Sequence, residues 1–136
     1  MKSSIISLIF ALCVLLMSCD GKPTETVNPI VGSWRWVQSC GGIAGTCIYS
    51  DSVDYSKFLS FENNGNFSEH SSDSLIFAGK YRIVRKEVLG ADTSDVIVID
   101  DYPFELEIIY IRNDSMSLNE ICADCFVSIY VKLGPI

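Results

Sequence analysis

From Ile30 onward, apolar residues recur at every second position far more often than every third or fourth. That is the period of strands that bury one face. Trp34, Trp36 and Gln38 fall on one face of a first strand opening at Gly32, with Arg35 and Val37 on the other. Residues 40–54 are rich in glycine and serine and read as a long loop holding two cysteines. A second strand, Tyr55 to Glu62, runs into Asn63-Asn64-Gly65-Asn66, a hairpin signal because Asn and Gly accept positive φ at low cost. The third strand extends from Phe67 to about His70, and Ser71 to Ser74 turn the chain. In the fourth, residues 75–87, Phe77, Gly79, Tyr81 and Ile83 share one parity, and Gly79 suggests a bend. A polar connection, Gly90 to Asp95, leads to a fifth strand, Val96 to Ile99. Past Pro103, residues 104–112 alternate Leu106, Ile108 and Tyr110 with Glu105 and Glu107. Asn113-Asp114-Ser115 turns into Met116 to Ile121, and the last strand runs from Phe126 to Leu133. Eight short strands in sequence, with no convincing helix, predict an all-β fold, a small antiparallel up-and-down barrel or a sandwich. A barrel also removes the open edges that such a sheet would otherwise expose.

The start of the chain follows a different pattern. Lys2 precedes a mostly apolar run, Ile5 to Leu16, interrupted only by Ser7: the n-region and h-region of a secretory signal peptide. The run is shorter than the ~20 residues a transmembrane helix needs. It ends in Leu16-Met17-Ser18-Cys19, which resembles the lipobox of bacterial lipoproteins. That resemblance implies a signal peptide over residues 1–18 and a lipid on Cys19, a diacylglyceryl group plus an acylated amine of the palmitate class. Two or more chains anchor a protein stably where one does not. Residues 19–29, polar and holding Pro23 and Pro29, read as a flexible tether, leaving 30–136 as one domain. The implied location is the bacterial cell envelope, on the periplasmic or outer-membrane face.

Charge narrows the partners. The formal net charge is −7, and loss of the leader with Lys2 makes the remainder one unit more negative. An acidic domain repels nucleic acid and anionic headgroups. Apart from Cys13 and Cys19, four cysteines remain: Cys40, Cys47, Cys122 and Cys125. In an extracytoplasmic chain they imply disulfides, and three pairings are open. In a barrel the loops after the first strand and before the last emerge at one end. At least one cross-loop bond is therefore expected, although the gap between Cys122 and Cys125 also permits a local one. Zinc would need all four thiolates in a compartment that oxidises them.

Gly32-Ser33-Trp34 at the head of the first strand is similar to the Gly-x-Trp signature of lipocalins and lipocalin-like bacterial lipoproteins. Leu59 to Phe67 and Gly79-Lys80-Tyr81 resemble the hairpin and Gly-x-Tyr segment of the bacterial group. The resemblance implies an eight-stranded, cup-shaped barrel that often holds an apolar ligand, with Trp34 plugging one end. Where lipocalins often place an arginine over that tryptophan, this chain offers Lys132.

The inward candidates for a ligand wall are Trp36, Phe61, Tyr81, Ile83, Leu106, Ile108, Tyr110 and Tyr130. The bland alternative is a barrel filled by those same side chains, which a domain of this size favours. The leading functional expectation is a lipid-anchored module that binds a small apolar ligand at the open end. The alternative is a protein-interaction module, an inhibitor or accessory subunit of an envelope complex, with a filled barrel. No cofactor and no enzyme activity are expected: His70, the one histidine, sits among polar residues, without a nucleophile elbow, and reads as an exposed turn residue. Asp51-Ser52-Val53, Asp73-Ser74-Leu75 and Asp114-Ser115-Met116 resemble the short Asp-Ser sites of bacterial O-glycosylation, a pattern brief enough to arise by chance. Any function is expected around residues 40–54 and 122–125, away from the Trp34 plug.

Overall fold

The computed structural model describes residues 28–88 and 92–134. The leader, Cys19, most of the tether, and Gly90 with Ala91 of the polar connection lie outside those residues. The described chain is a closed antiparallel barrel of eight strands plus one extra strand. In chain order the strands are β1 (Gly32–Gly41), β2 (Thr46–Tyr49), β3 (Lys57–Phe61), β4 (Asn66–Ser71), β5 (Ser74–Glu87), β6 (Thr93–Ile99), β7 (Leu106–Arg112), β8 (Ser115–Glu120) and β9 (Phe126–Lys132). Each pairs with its sequence neighbour, except that β1 pairs with both β2 and β3, and β9 returns to β1 to close the ring. On one edge of β1, Gly32 to Arg35 bond to β3 and Gln38 to Gly41 bond to β2. The extra strand thus caps the rim where β3 stops. β5 carries the stagger of the barrel: its residues 74–80 pair with β4 and its residues 81–87 with β6.

β2 lies inside the stretch read as loop. All four of its residues are exposed, so it carries no burial period to be read, and its strand character comes from the turn at Gly42 to Gly45 that folds it back on β1. Gly41 is obligatory there. A Cβ on it would run into the Cys125 carbonyl of the neighbouring loop. The Asn63-Asn64-Gly65 hairpin forms as expected, with Gly65 at φ +83° and Asn66 N–H donating to Asn64 Oδ1 at 2.9 Å.

The closed end holds residues 28–31, the turns at 62–65 and 113–114, and Leu133. Trp34 is fully buried there, its Nε1–H donating to the Ile30 carbonyl at 2.7 Å. Lys132 takes the covering position, its Nζ 5.1 Å from the Trp34 ring centroid and 3.4 Å from the Pro29 carbonyl. Above the plug, the interior is occupied by side chains. Tyr81 meets Phe61 edge-on, Phe61 leans on Phe67, and Phe67 contacts both Phe77 and Tyr102, which also meet each other, with ring centroids between 5.0 and 6.2 Å apart. Leu59, Ile97, Ile99, Leu106, Met116 and Leu118 complete the core.

Candidate functional site at the open end

At the other end, the inward apolar stripes of four strands stop in polar residues. On β3 the stripe Phe61, Leu59 ends in Lys57, and on β4 Phe67 is followed by Glu69. On β8 Met116 and Leu118 lead to Glu120, and on β9 Tyr130 is preceded by Ser128. Strand alternation turns all of them inward. β1 reaches the same level through a bulge at Val37, where the register with β9 steps from Trp36↔Tyr130 to Gln38↔Ile129. The extra residue rotates Gln38 outward and brings Ser39 in. Gln38 therefore leaves the face it was expected to share with Trp34 and Trp36; its amide lies 3.9 Å from Cys40 Sγ. The result is a polar collar on top of an apolar barrel.

The collar is internally bonded. Lys57 Nζ pairs with Glu69 Oε1 at 3.0 Å, and the Tyr102 hydroxyl, from the β6–β7 loop, donates to Glu69 Oε2 at 2.6 Å. Trp36 Nε1–H donates to Ser39 Oγ at 2.8 Å, and Ser39 and Ser128 share a hydroxyl hydrogen bond at 2.6 Å. Burial by itself lowers the Lys57 pKa, but Tyr130, Glu69 and Glu120 together with the Glu69 hydrogen bond outweigh it and hold the ammonium above its ordinary value. Burial first, then the neighbouring carboxylates, pushes the phenols of Tyr102 and Tyr130 up. Lys57 is thus an ammonium at neutral pH and a poor nucleophile. The Glu120 carboxylate takes no hydrogen bond or ion pair among the described residues.

Above the collar lies a pocket of about 150 Å³ bounded by Trp36, Tyr55, Lys57, Glu120, Phe126 and Ser128. Trp36 and Tyr55 stack with planes 9° apart and centroids 6.1 Å apart. On the outer side of this ring pair is a second hollow of about 180 Å³, beside Arg35 and Asp51.

The residues expected to line a ligand wall do not act together. Trp36 borders the pocket and Tyr130 lies buried beneath it. Phe61 and Leu106 are core filling, 1% and 5% exposed, and Tyr81, Ile83 and Ile108 pack against that core from its flank. Tyr110 is not inward. A bulge at Ile109 shifts the register from Ile108↔Leu118 to Tyr110↔Ser117, so Ile111 faces the core and the Tyr110 ring lies beside the Arg112 guanidinium, 5.9 Å away. His70 sits half-buried on β4 opposite Phe58, not in an exposed turn.

All four downstream cysteines gather at the open end, bonded as Cys40–Cys47 and Cys122–Cys125. The cross-loop pairing is overturned. The unforeseen β1–β2 hairpin sets Cys40 directly opposite Cys47, with Cα atoms 4.1 Å apart, while Cys122 and Cys125 meet across the short β8–β9 loop at 5.4 Å. Local partners are met first.

The rim is also where apolar surface is displayed. Of ten exposed large hydrophobic residues among those described, Ile43, Ile48, Tyr49, Tyr55, Leu75, Ile76, Phe104 and Val127 belong to this end. Only Ile109 and Leu133 lie elsewhere, so the exposure is concentrated rather than scattered. Among the described residues no three His, Cys, Asp or Glu side chains converge as metal ligands. The open end thus combines charge within a small pocket, aromatic faces beside it and apolar side chains around it. Comparisons with protein-family models, with curated proteins and with solved structures find no match to this chain.

Proposed function

We propose that this chain is a lipocalin-like, lipid-anchored module of the bacterial cell envelope whose barrel is a filled scaffold and whose disulfide-stapled open end binds another protein. One observation carries the reading: the barrel interior is packed with aromatic and aliphatic side chains, while most of the exposed large apolar residues crowd one rim. A small-molecule site usually offers ~300 Å³ or more. The mouth pocket provides about half of that, which disfavours a free apolar ligand in the cup. The rim instead combines apolar and aromatic side chains with a polar surround, the composition of an interface core. The described chain enters at the closed end, beside Ile30, so an anchor on Cys19 leaves the open end free to face away from the bilayer. No chemistry is assigned to the module itself.

The test is site-specific photo-crosslinking in cells that produce the full chain. A crosslinker in place of Ile43 or Ile48 should yield a discrete protein adduct, and one in place of Ile109 or Leu133 should not. Equal labelling from all four positions, or labelling by lipid alone, removes the docking reading.

A further inference from the structure

On the reading that the open end docks a protein, we propose that its mouth pocket anchors a single cationic side chain, lysine or arginine, of a polypeptide partner whose adjoining residues are apolar. The pocket, about 150 Å³, suits one long side chain better than a free small molecule. Its wall is the Trp36–Tyr55 ring pair, whose faces attract a cation. Ser39 and Ser128 supply hydroxyl oxygens, and Glu120 supplies a carboxylate with no partner among the described residues. Lys57, the cation at this site, is neutralised by Glu69 at 3.0 Å, which leaves Glu120 as the surplus charge.

The surroundings carry the same sign. Residues 36–56 and 119–128, which frame the opening, contain no lysine or arginine. They do contain Asp51, Asp54 and Asp124, all exposed at the rim. Charge complementarity therefore selects a cation. The apolar side chains beside it, Ile43 at 92% exposure above all, select a polypeptide over a metal ion or a free amine, because those ligands would leave that surface uncovered. An anionic side chain would have to displace Glu69 from Lys57 and face Glu120 as well.

The experiment titrates the full-length protein, purified in detergent, with short peptides that differ only in a central residue flanked by valine and threonine: lysine, arginine, norleucine or glutamate. The lysine and arginine peptides should bind at least about tenfold tighter than the norleucine one, as expected for a charge-assisted hydrogen bond. Glu120→Gln should erase that margin while leaving the melting temperature close to wild type, and Trp36→Phe should weaken the arginine peptide. Equal binding of the norleucine peptide, a preference for glutamate, no effect of Glu120→Gln, or no saturable binding overturns the proposal. Crosslinking from position 43 separates this result from the underlying reading. An adduct that persists in Glu120→Gln keeps the docking surface and discards the cation anchor. Loss of the adduct in that variant supports the anchor, and no adduct in either protein discards both. An adduct to a second copy of the chain makes the contact self-association and overturns the proposed partner.

Discussion

The two ends of this barrel use tryptophan differently. At the closed end Trp34 is wholly enclosed, hydrogen-bonded to the Ile30 carbonyl and covered by Lys132. At the open end Trp36, two residues along the same strand, has its indole N–H tied to Ser39 and its ring against the exposed Tyr55, beside a pocket. The plug satisfies its indole N–H with backbone and excludes water. The other indole is satisfied by a side chain that water can reach. A sealed plug and a polar-collared pocket thus grow from the same alternation, and on β3, β4, β8 and β9 the residue that ends the apolar stripe makes the difference.

The largest expected effect tests that contrast directly. Trp34→Ala should destabilise the domain by about 3–5 kcal/mol, the range for deleting a fully packed large aromatic side chain. Trp36→Ala should cost roughly 1–2 kcal/mol less, because the space it leaves joins a pocket lined by hydroxyls and charge that water can fill. Urea unfolding monitored by circular dichroism measures both. If the Trp36 variant is equally or more damaged, the ends are not energetically distinct.

Next comes the collar. Lys57→Met leaves Glu69, only 12% exposed in its side chain, without its cation. The loss should be about 2–3 kcal/mol, less than for a fully enclosed pair because Lys57 is partly solvated. The double change Lys57→Met with Glu69→Met should recover most of it, since neither charge then remains to be desolvated. An additive double variant would mean that the pair is not a unit. The same collar sets an alkaline limit. Lys57, Tyr102 and Tyr130 all have folded pKa values raised above ordinary values of 10.5 and 10.0, so folding favours their protonated forms. Their contribution is fully present below about pH 10 and is lost as the pH rises through the folded values. A urea midpoint that rises from pH 9 to 11 would contradict this.

Much of the closed end was legible in the residues. Gly32-Ser33-Trp34 at the start of a period-two run, and Asn-Gly between two such runs, each have one common structural solution. The open end was harder to read, for physical reasons. β2 is exposed on every residue and shows no period. The bulges at Val37 and Ile109 each insert one residue, and a single insertion inverts every inward assignment beyond it, which is how Gln38 and Tyr110 came to be placed wrongly and Ser39 and Ile111 overlooked. Lys57, Glu69 and Glu120 kept the parity of their apolar neighbours throughout. Charge ordinarily points to solvent, yet parity is the better guide here, and a charged residue in step with Leu59 and Phe61 or with Met116 and Leu118 is the available sign of a collar.

The disulfides give a smaller contrast. Cys40–Cys47 closes a separation of seven residues, worth about 2 kcal/mol in chain entropy, whereas a bond spanning most of the domain would be worth more than 4. Cys40→Ser with Cys47→Ser should therefore lower stability by about 2 kcal/mol and speed amide exchange along β2. Exchange at Trp34 and its neighbours should stay slow. Non-reducing proteolysis should release each pair as a local fragment, and a fragment linking residues 40 or 47 to 122 or 125 would reverse the assignment.

The smallest effect belongs to the closed end and completes the comparison. At the β3–β4 turn the Glu62 carboxylate accepts hydrogen bonds from the side chains of Asn66 at 2.8 Å and Asn64 at 3.0 Å. Those two bonds, Asn66 first, hold its pKa below the ordinary 4.5. A depressed carboxylate contributes stability above its unfolded pKa and loses it as the pH falls through the folded value. An NMR titration should thus find Glu62 protonating at a lower pH in the wild type than in the Asn64→Ala, Asn66→Ala double variant, and Glu62→Gln should flatten only a shallow part of the acid limb. The carboxylate is fully solvated, so water replaces most of what the asparagines give. If acid instead unfolded the protein steeply through this residue, charge at the closed end would matter as much as charge inside the collar. The division of labour between a sealed apolar end and a charged open end would then fail.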